Sequence, residues 1–191
     1  MHRFIALFAL MLVFCWGPGL SWASGQGQDP HLTTVADLEL AGPVAKPAAA
    51  YLGVPAGEGA VRLSQVKAEF LLVEVFSMYC PYCQAEAKNV NALHALLQKS
   101  PAAARVKMLG IGAGNTPFEV EFFRDKYAVP FPLFPDAEFA CHKSLNGPGT
   151  PYFMLLKADG AGAFAVVFSH LGPFGDPGKF LDTMLAKAGL K

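Results

Sequence analysis

Phe70-Leu71-Leu72-Val73-Glu74-Val75-Phe76-Ser77-Met78-Tyr79-Cys80-Pro81-Tyr82-Cys83 is the stretch on which the reading of this chain turns. Its first half, Phe70 to Phe76, is a short apolar run rich in aromatic and β-branched residues, and it predicts a buried strand. Beyond it, Gln84 to Lys99 spaces Ala87, Val90, Leu93, Leu96 and Leu97 at helical intervals. A Cys-x-x-Cys pair therefore falls on a strand-to-helix turn, with Cys80 near the helix N-terminus. The unpaired N–H groups and the helix dipole there stabilise an anion, which lowers a thiol pKa toward neutrality and makes a nucleophilic thiolate. A disulfide that serves only stability is the plainer reading. It is a poor one, because closing so short a loop restrains the unfolded chain far less than closing a long one. Zinc sites and haem attachment also use Cys-x-x-Cys, so the flanking pattern has to decide.

The rest of the chain sets bounds on that pair. A length of 191 residues has room for one domain with a small extension. Lys and Arg total 15 against 15 Asp and Glu, so there is no basic excess of the kind a nucleic-acid binder needs. Partners are then proteins or small thiols. Met1-His2-Arg3 followed by apolar Phe4 to Trp16 reads as the start of a secretory signal, with Ser21-Trp22-Ala23 offering small residues for cleavage after Ala23. A membrane anchor competes with this, but the apolar run is shorter than the ~20 residues that cross a bilayer. Lipidation at Cys15 is disfavoured by bulky Phe14 before it. The expected organisation is a signal peptide over 1–23, an N-terminal extension over 24–60 and a domain over 61–191. Export places the mature chain in the periplasm, where disulfide chemistry is possible, or holds it at the membrane if the segment stays uncleaved.

Ser24 to Pro30 is polar and Gly-rich and predicts a mobile terminus. From His31 to Gly59, Gly and Pro interrupt short apolar pieces and predict irregular structure with a short hairpin through Tyr51-Leu52-Gly53-Val54. Val106 to Gly112 reads as a strand with a Gly-rich exit, and Asn115 or Thr116 can cap a helix that begins at Pro117. On that helix, Phe118, Phe122 and Phe123 predict a core-facing stripe. An extended Val129 to Phe134 and a short helix from Ala137 to Ser144, capped by Asp136, come next. Tyr152 to Leu156 and Phe164 to Phe168 form a hairpin around Asp159-Gly160, and Asp176-Pro177 opens a last helix. Alternating β and α followed by a hairpin and a helix is an α/β layer design with a mixed sheet, and the Cys pair lies at the carboxyl end of a central strand.

Phe70 to Cys83, followed by a helix, resembles the strand and active-site turn of thioredoxin-fold proteins. Gly149-Thr150-Pro151 before a strand resembles the loop that carries that fold's cis-proline. More narrowly, the chain is similar to exported TlpA/ResA-like thiol–disulfide oxidoreductases from about Ser64 to Lys187. The resemblance implies a thioredoxin-like fold, a central mixed sheet flanked by helices, and no cofactor beyond a redox-active disulfide, Cys80–Cys83. It implies that Cys80 attacks and Cys83 resolves, with periplasmic protein thiols and disulfides as partners together with a membrane electron donor or acceptor. Reduction is the direction expected, and an oxidase of secreted proteins can share the same motif. Substrate contacts would come from Thr150, Pro151, Tyr79, Pro81 and Tyr82. Tyr79 stands where many relatives have Trp.

Other residues carry paired readings. Glu74, six residues before Cys80, is a proton acceptor for Cys83 if buried, and an ordinary solvated residue if it sits at a sheet edge. Glu86 matches a Glu implicated in tuning the cysteines of the TlpA/ResA group, or is a surface helix residue. Cys141 is a third redox thiol or a small buried residue. Neighbouring His142 makes a weak metal site with it, and His94 reads as a surface or boundary residue. Two other functions compete. A peroxiredoxin-like peroxidase would place Thr two residues ahead of a single reactive Cys and Pro further upstream, whereas Ser77 stands three before Cys80. A non-enzymatic binding module on a thioredoxin scaffold, a metal chaperone or an assembly factor, is the other; copper chaperones of this fold space their cysteines one residue wider.

Overall fold

The computed structural model describes residues 29–160 and 162–190. The signal segment over 1–23, Cys15 and most of the predicted mobile terminus lie outside the described residues. Among the described residues, eight strands and five α-helices follow in order, with a 3-10 turn at Leu63–Gln65: β1 Thr34–Ala36, β2 Glu39–Leu40, α1 Lys46–Leu52, β3 Val61–Arg62, β4 Phe70–Phe76, α2 Pro81–Lys99, β5 Val106–Ala113, α3 Pro117–Tyr127, β6 Leu133–Asp136, α4 Ala140–Ser144, β7 Tyr152–Ala158, β8 Ala163–Leu171 and α5 Pro177–Lys187. Six strands form one sheet in the order β1-β8-β7-β4-β5-β6, and β2 pairs with β3 beside it. β4 runs parallel to β5 and antiparallel to β7, and β5 runs parallel to β6, so the sheet is mixed as expected.

Strand β4 is buried along its whole length, and the two-residue period divides it between two cores. Leu71, Val73 and Val75 pack into one core, with Leu40, Leu52 and Cys141. Phe70, Leu72 and Phe76 face the other, formed with Cys83, Val90 and Leu93 of α2 and Phe180 and Met184 of α5. Glu74 shares the parity of this second face and is 4% exposed. Since β4 is hydrogen-bonded on both sides, Glu74 sits mid-sheet, opposite Gly110 and Phe153. The sheet-edge reading of Glu74 is thereby excluded.

Several local expectations need correction. Tyr51 and Leu52 end a helix rather than forming a hairpin. Pro47 in its first turn and the Ala48-Ala49-Ala50 run favour α1, and Gly53 in a left-handed conformation (φ 69°) closes it. Thr34–Ala36, read as irregular, adds an edge strand to β8. On α3, Phe118 and Phe122 are 78% and 48% exposed, while Phe123 is buried. Val120 and Phe123, three apart, make the inner face, and a reading that counted only aromatics rotated the helix wrongly. The rotation is pinned by a capping box: Thr116 Oγ1 accepts from Glu119 N, and the Glu119 carboxylate accepts from Thr116 N. Leu96 is also exposed, whereas His94 is buried, four residues after Val90 on the inner stripe of α2, between the rings of Tyr51 and Phe131. Helix α4 begins at Ala140 rather than Ala137, because Phe139 takes a left-handed conformation (φ 58°) just before it.

Candidate active site

Pro81 occupies the first turn of α2, where its missing N–H costs nothing, and Cys80 stands at the N-cap with extended backbone. The turn that delivers Cys80 from β4 is fixed from three directions. Cys80 N donates to Ser77 O at 3.1 Å. Gln84 Nε2 reaches back to Met78 O at 2.7 Å. Met78 N donates to Asn115 Oδ1 at 2.8 Å, from a fully buried side chain at the carboxyl end of β5. Asn115 is a positioning residue that the sequence reading offered only as a helix cap. Its position just past the Gly-rich exit of the strand parallel to β4 was the available signal.

Cys80 is half-buried and Cys83 is buried. The Cys80 S–H donates to the Thr150 carbonyl at 3.2 Å, and the Thr150–Pro151 peptide is cis. Burial pushes the Cys80 thiol up, but the Thr150 side chain, the backbone N–H groups of Cys83 and Tyr82 and the Cys83 thiol together outweigh it and hold the thiol below its ordinary value. Cys83 is the reverse case. Burial drives its thiol far up, a backbone hydrogen bond at Ser77 offsets this in part, and the charges of Glu74 and Cys80 add to the rise. One thiol is therefore ready to attack, and the other stays protonated until something takes its proton.

Glu74 has the properties of such a group. Burial first, and the charge of Glu86 second, raise its carboxyl pKa to about 8. Glu86 is itself buried, so the surface-residue reading fails. Its Oε1 accepts from Phe174 N at 3.0 Å and Gly175 N at 3.2 Å, and its Oε2 accepts from Asn89 Nδ2 at 3.2 Å. It ties the loop after β8 to α2. Tyr79 and Tyr82 are exposed, and the Tyr79 hydroxyl donates to Glu119, linking the turn to the start of α3.

A cleft of about 670 Å³ opens beside Cys80, walled by Tyr79, Pro81, Tyr82 and Thr150. Its far wall contains Phe139 and His142, neither of which the sequence reading placed there. The His142 ring nitrogen Nε2 lies 2.9 Å from Pro148 O, a bond that orients the approach to the cis-proline. Cys141 points elsewhere. Its S–H donates to Glu39 O at 3.3 Å in the core on the opposite side of the sheet from Cys83, and burial, with Asp136 and Glu39, raises its thiol to about 11. Among the described residues no group of three or more His, Cys, Asp or Glu side chains could hold a metal ion.

The crystal structure of a secreted Mycobacterium tuberculosis disulfide oxidoreductase homologous to E. coli DsbE superposes with a TM-score of 0.53 at 19% identity, over 68% of this chain and 90% of that one. StoA from Bacillus subtilis gives 0.52 at 18% identity, over 66% and 88%. Peroxidoxin BcpB from Mycobacterium tuberculosis gives 0.57 at 17% identity, over 87% and 97%. No curated protein sequence matches the chain. The family model for AhpC/TSA matches residues 44–160, from the segment before α1 through both cysteines, the cis-proline and β7. With this match over more than half its length and with these neighbours in fold, the chain belongs to the AhpC/TSA family and carries the thioredoxin fold.

Proposed function

We propose that the protein is an exported thiol–disulfide oxidoreductase that reduces disulfides of periplasmic proteins through Cys80 and Cys83. The observation that carries the reading is the pairing of a half-exposed, activated Cys80 at a helix N-terminus with a buried, protonated Cys83 one turn further on. The Cys80 thiolate attacks a substrate disulfide, the S–S bond breaks, and one substrate thiolate leaves. Glu74, when ionised, takes the Cys83 proton. The Cys83 sulfur then attacks Cys80, the mixed disulfide breaks, and the second substrate thiolate leaves. Two electrons pass to the substrate, and Cys80–Cys83 ends as a disulfide that a membrane electron donor must reduce again. Thr150, Pro151, Tyr79, Pro81 and Tyr82 would contact the substrate, its extended backbone pairing at the cis-proline loop. Export rests on the Met1 to Ala23 segment and on the secreted character of the M. tuberculosis relative in fold.

The test is a trap. A Cys83→Ser variant should accumulate mixed disulfides at Cys80, and Cys80→Ser should trap none. Full insulin-disulfide reduction by both variants would sink the assignment. Equilibration with glutathione and dithiothreitol reads the direction: a potential near the thioredoxin end supports a reductase, and one near the strong-oxidant end overturns that part. A peroxidase reading draws on the likeness to peroxidoxin BcpB. Hydrogen peroxide consumption that persists in Cys83→Ser with an external thiol, alongside absent disulfide reduction in the wild type, would favour it.

A further inference from the structure

The wall of the cleft that contains Phe139 is built with unusual backbone. Phe139 is a bulky residue in the left-handed region (φ 58°, ψ 29°), a conformation that costs energy and persists only where the surroundings hold it. Its ring lies on Gly114, itself left-handed at φ 66°, where an added Cβ would fall 2.3 Å from Phe139 Cζ. The ring also meets His142 edge-on at 5.5 Å between centroids. Gly114 at the tip and His142 at the edge thus hold the ring, and yet Phe139 remains 42% exposed and lines the cleft. Among the described residues lining the cleft there is no Asp, Glu, Lys or Arg, and the Nε2 of His142 is engaged by Pro148 O.

We propose that this recess, formed by Phe139, Gly114, His142 and Pro148, is a specificity subsite that receives an aromatic or large aliphatic side chain flanking the reacting cysteine of the substrate. The inference rests on the disulfide-exchange reading and names its substrate class. The occupant follows from position and charge. Cys80 and Phe139 line the same cleft, and an extended segment bound at Cys80 advances only ~3.3 Å per residue, so the side chains beside the substrate cysteine are the ones that can reach the recess. A charged side chain there would lose its hydration with no counter-charge to meet it, whereas an apolar one exchanges water for the Phe139 ring. A cleft of about 670 Å³ accommodates such a side chain together with the disulfide.

The experiment uses pre-reduced protein in single turnover with short disulfide-bonded peptides that differ only at the residues beside the cysteine: Phe, Leu, Gly or Asp. Hydroxyethyl disulfide, which has no side chain to offer, serves as the reference. The Phe and Leu peptides should be reduced at least ~10-fold faster than the Gly peptide, and the Asp peptide slowest. Phe139→Ala should collapse the Phe-to-Gly ratio toward one, and Phe139→Leu, which keeps apolar bulk should the alanine variant fail to fold, should retain part of it. Reduction of hydroxyethyl disulfide with equal rates for all four peptides overturns the subsite and leaves the disulfide chemistry standing. No reaction with any of the disulfides overturns the chemistry on which the subsite rests.

Discussion

Replacing Glu74 with Gln should change how stability depends on pH in a way that no surface carboxylate could. The Glu74 pKa in the folded protein stands at about 8 against an ordinary value of 4.5, because burial between β4 and α2 penalises its charge and Glu86 adds to the penalty. Unfolding restores the ordinary value. Between these two pKa values the native protein holds a proton that the unfolded chain has released, so native stability falls as pH rises, by ~1.4 kcal/mol per pH unit. Stability from this group is fully present below pH ~4.5 and is lost by the time pH passes ~8, a total of about 5 kcal/mol. Glutamine keeps the shape and has nothing to titrate.

The assay is urea denaturation of wild type and Glu74→Gln, both fully reduced, from pH 5 to pH 9. Taking the difference between the two proteins at each pH cancels the titration of surface groups that do not sense Glu74. The difference should be small near pH 5 and should move in favour of the glutamine variant by several kcal/mol by pH 9. A difference that stays flat over this range would mean that Glu74 is charged throughout, and both the burial argument and its role as proton acceptor would fail. The same pKa bears on the chemistry. At pH 7 only about a tenth of Glu74 is ionised, so resolution of a Cys80 mixed disulfide should accelerate toward pH 8 in the wild type and lose that acceleration in the variant.

Three further outcomes follow from single contacts. Asn115→Ala removes the acceptor of Met78 N in a buried position and should destabilise the protein by ~1–3 kcal/mol, read by urea denaturation, with Gln84 unable to hold the turn alone. Glu86→Ala frees the amides of Phe174 and Gly175 and should raise their hydrogen exchange by 10-fold or more, while amides of β4 stay protected. Iodoacetamide at pH 8 should alkylate Cys80 in the reduced native protein and leave Cys141 unmodified until urea is added, because Cys141 is buried and its thiol is raised to about 11.

The site was legible where chemistry and local pattern coincide. Cys80, Cys83, Glu74 and the Thr150–Pro151 step all announce themselves, since a strand period, a helix start and a proline each have a local signature. What the sequence hid depends on rotation and on distant partners. Whether Phe118 or Phe123 turns inward is set by a capping box and by Val120, not by the number of aromatics on the helix. His94 is inside because Tyr51 and Phe131, from two other segments, close over it. Phe139 and His142 reach the cleft only because β6 pairs beside β5 and brings the start of α4 to the carboxyl ends of the strands. That placement is a consequence of strand order, which no window of sequence contains.

The unlike surroundings of the two cysteines bear on the direction of electron flow. A strongly oxidising pair of this kind owes its potential to a stabilised reduced form, which in practice means a thiolate well held by positive charge and donors. At Cys80 the Thr150 side chain, the amides of Cys83 and Tyr82 and the Cys83 thiol favour the thiolate. Against them stands the Thr150 carbonyl at 3.2 Å, a group that accepts from S–H and offers nothing to S⁻. No lysine or arginine among the described residues lines the cleft to add to the thiolate's stability. Deeper in, burial and the Glu74 charge oppose ionisation of Cys83, and a backbone hydrogen bond at Ser77 offsets this only in part. Each 1.4 kcal/mol by which the reduced form goes unstabilised lowers the potential by ~30 mV. These surroundings support the proposed disulfide-reducing direction, and the buried acid that lifts the Cys83 pKa is the group proposed to take its proton.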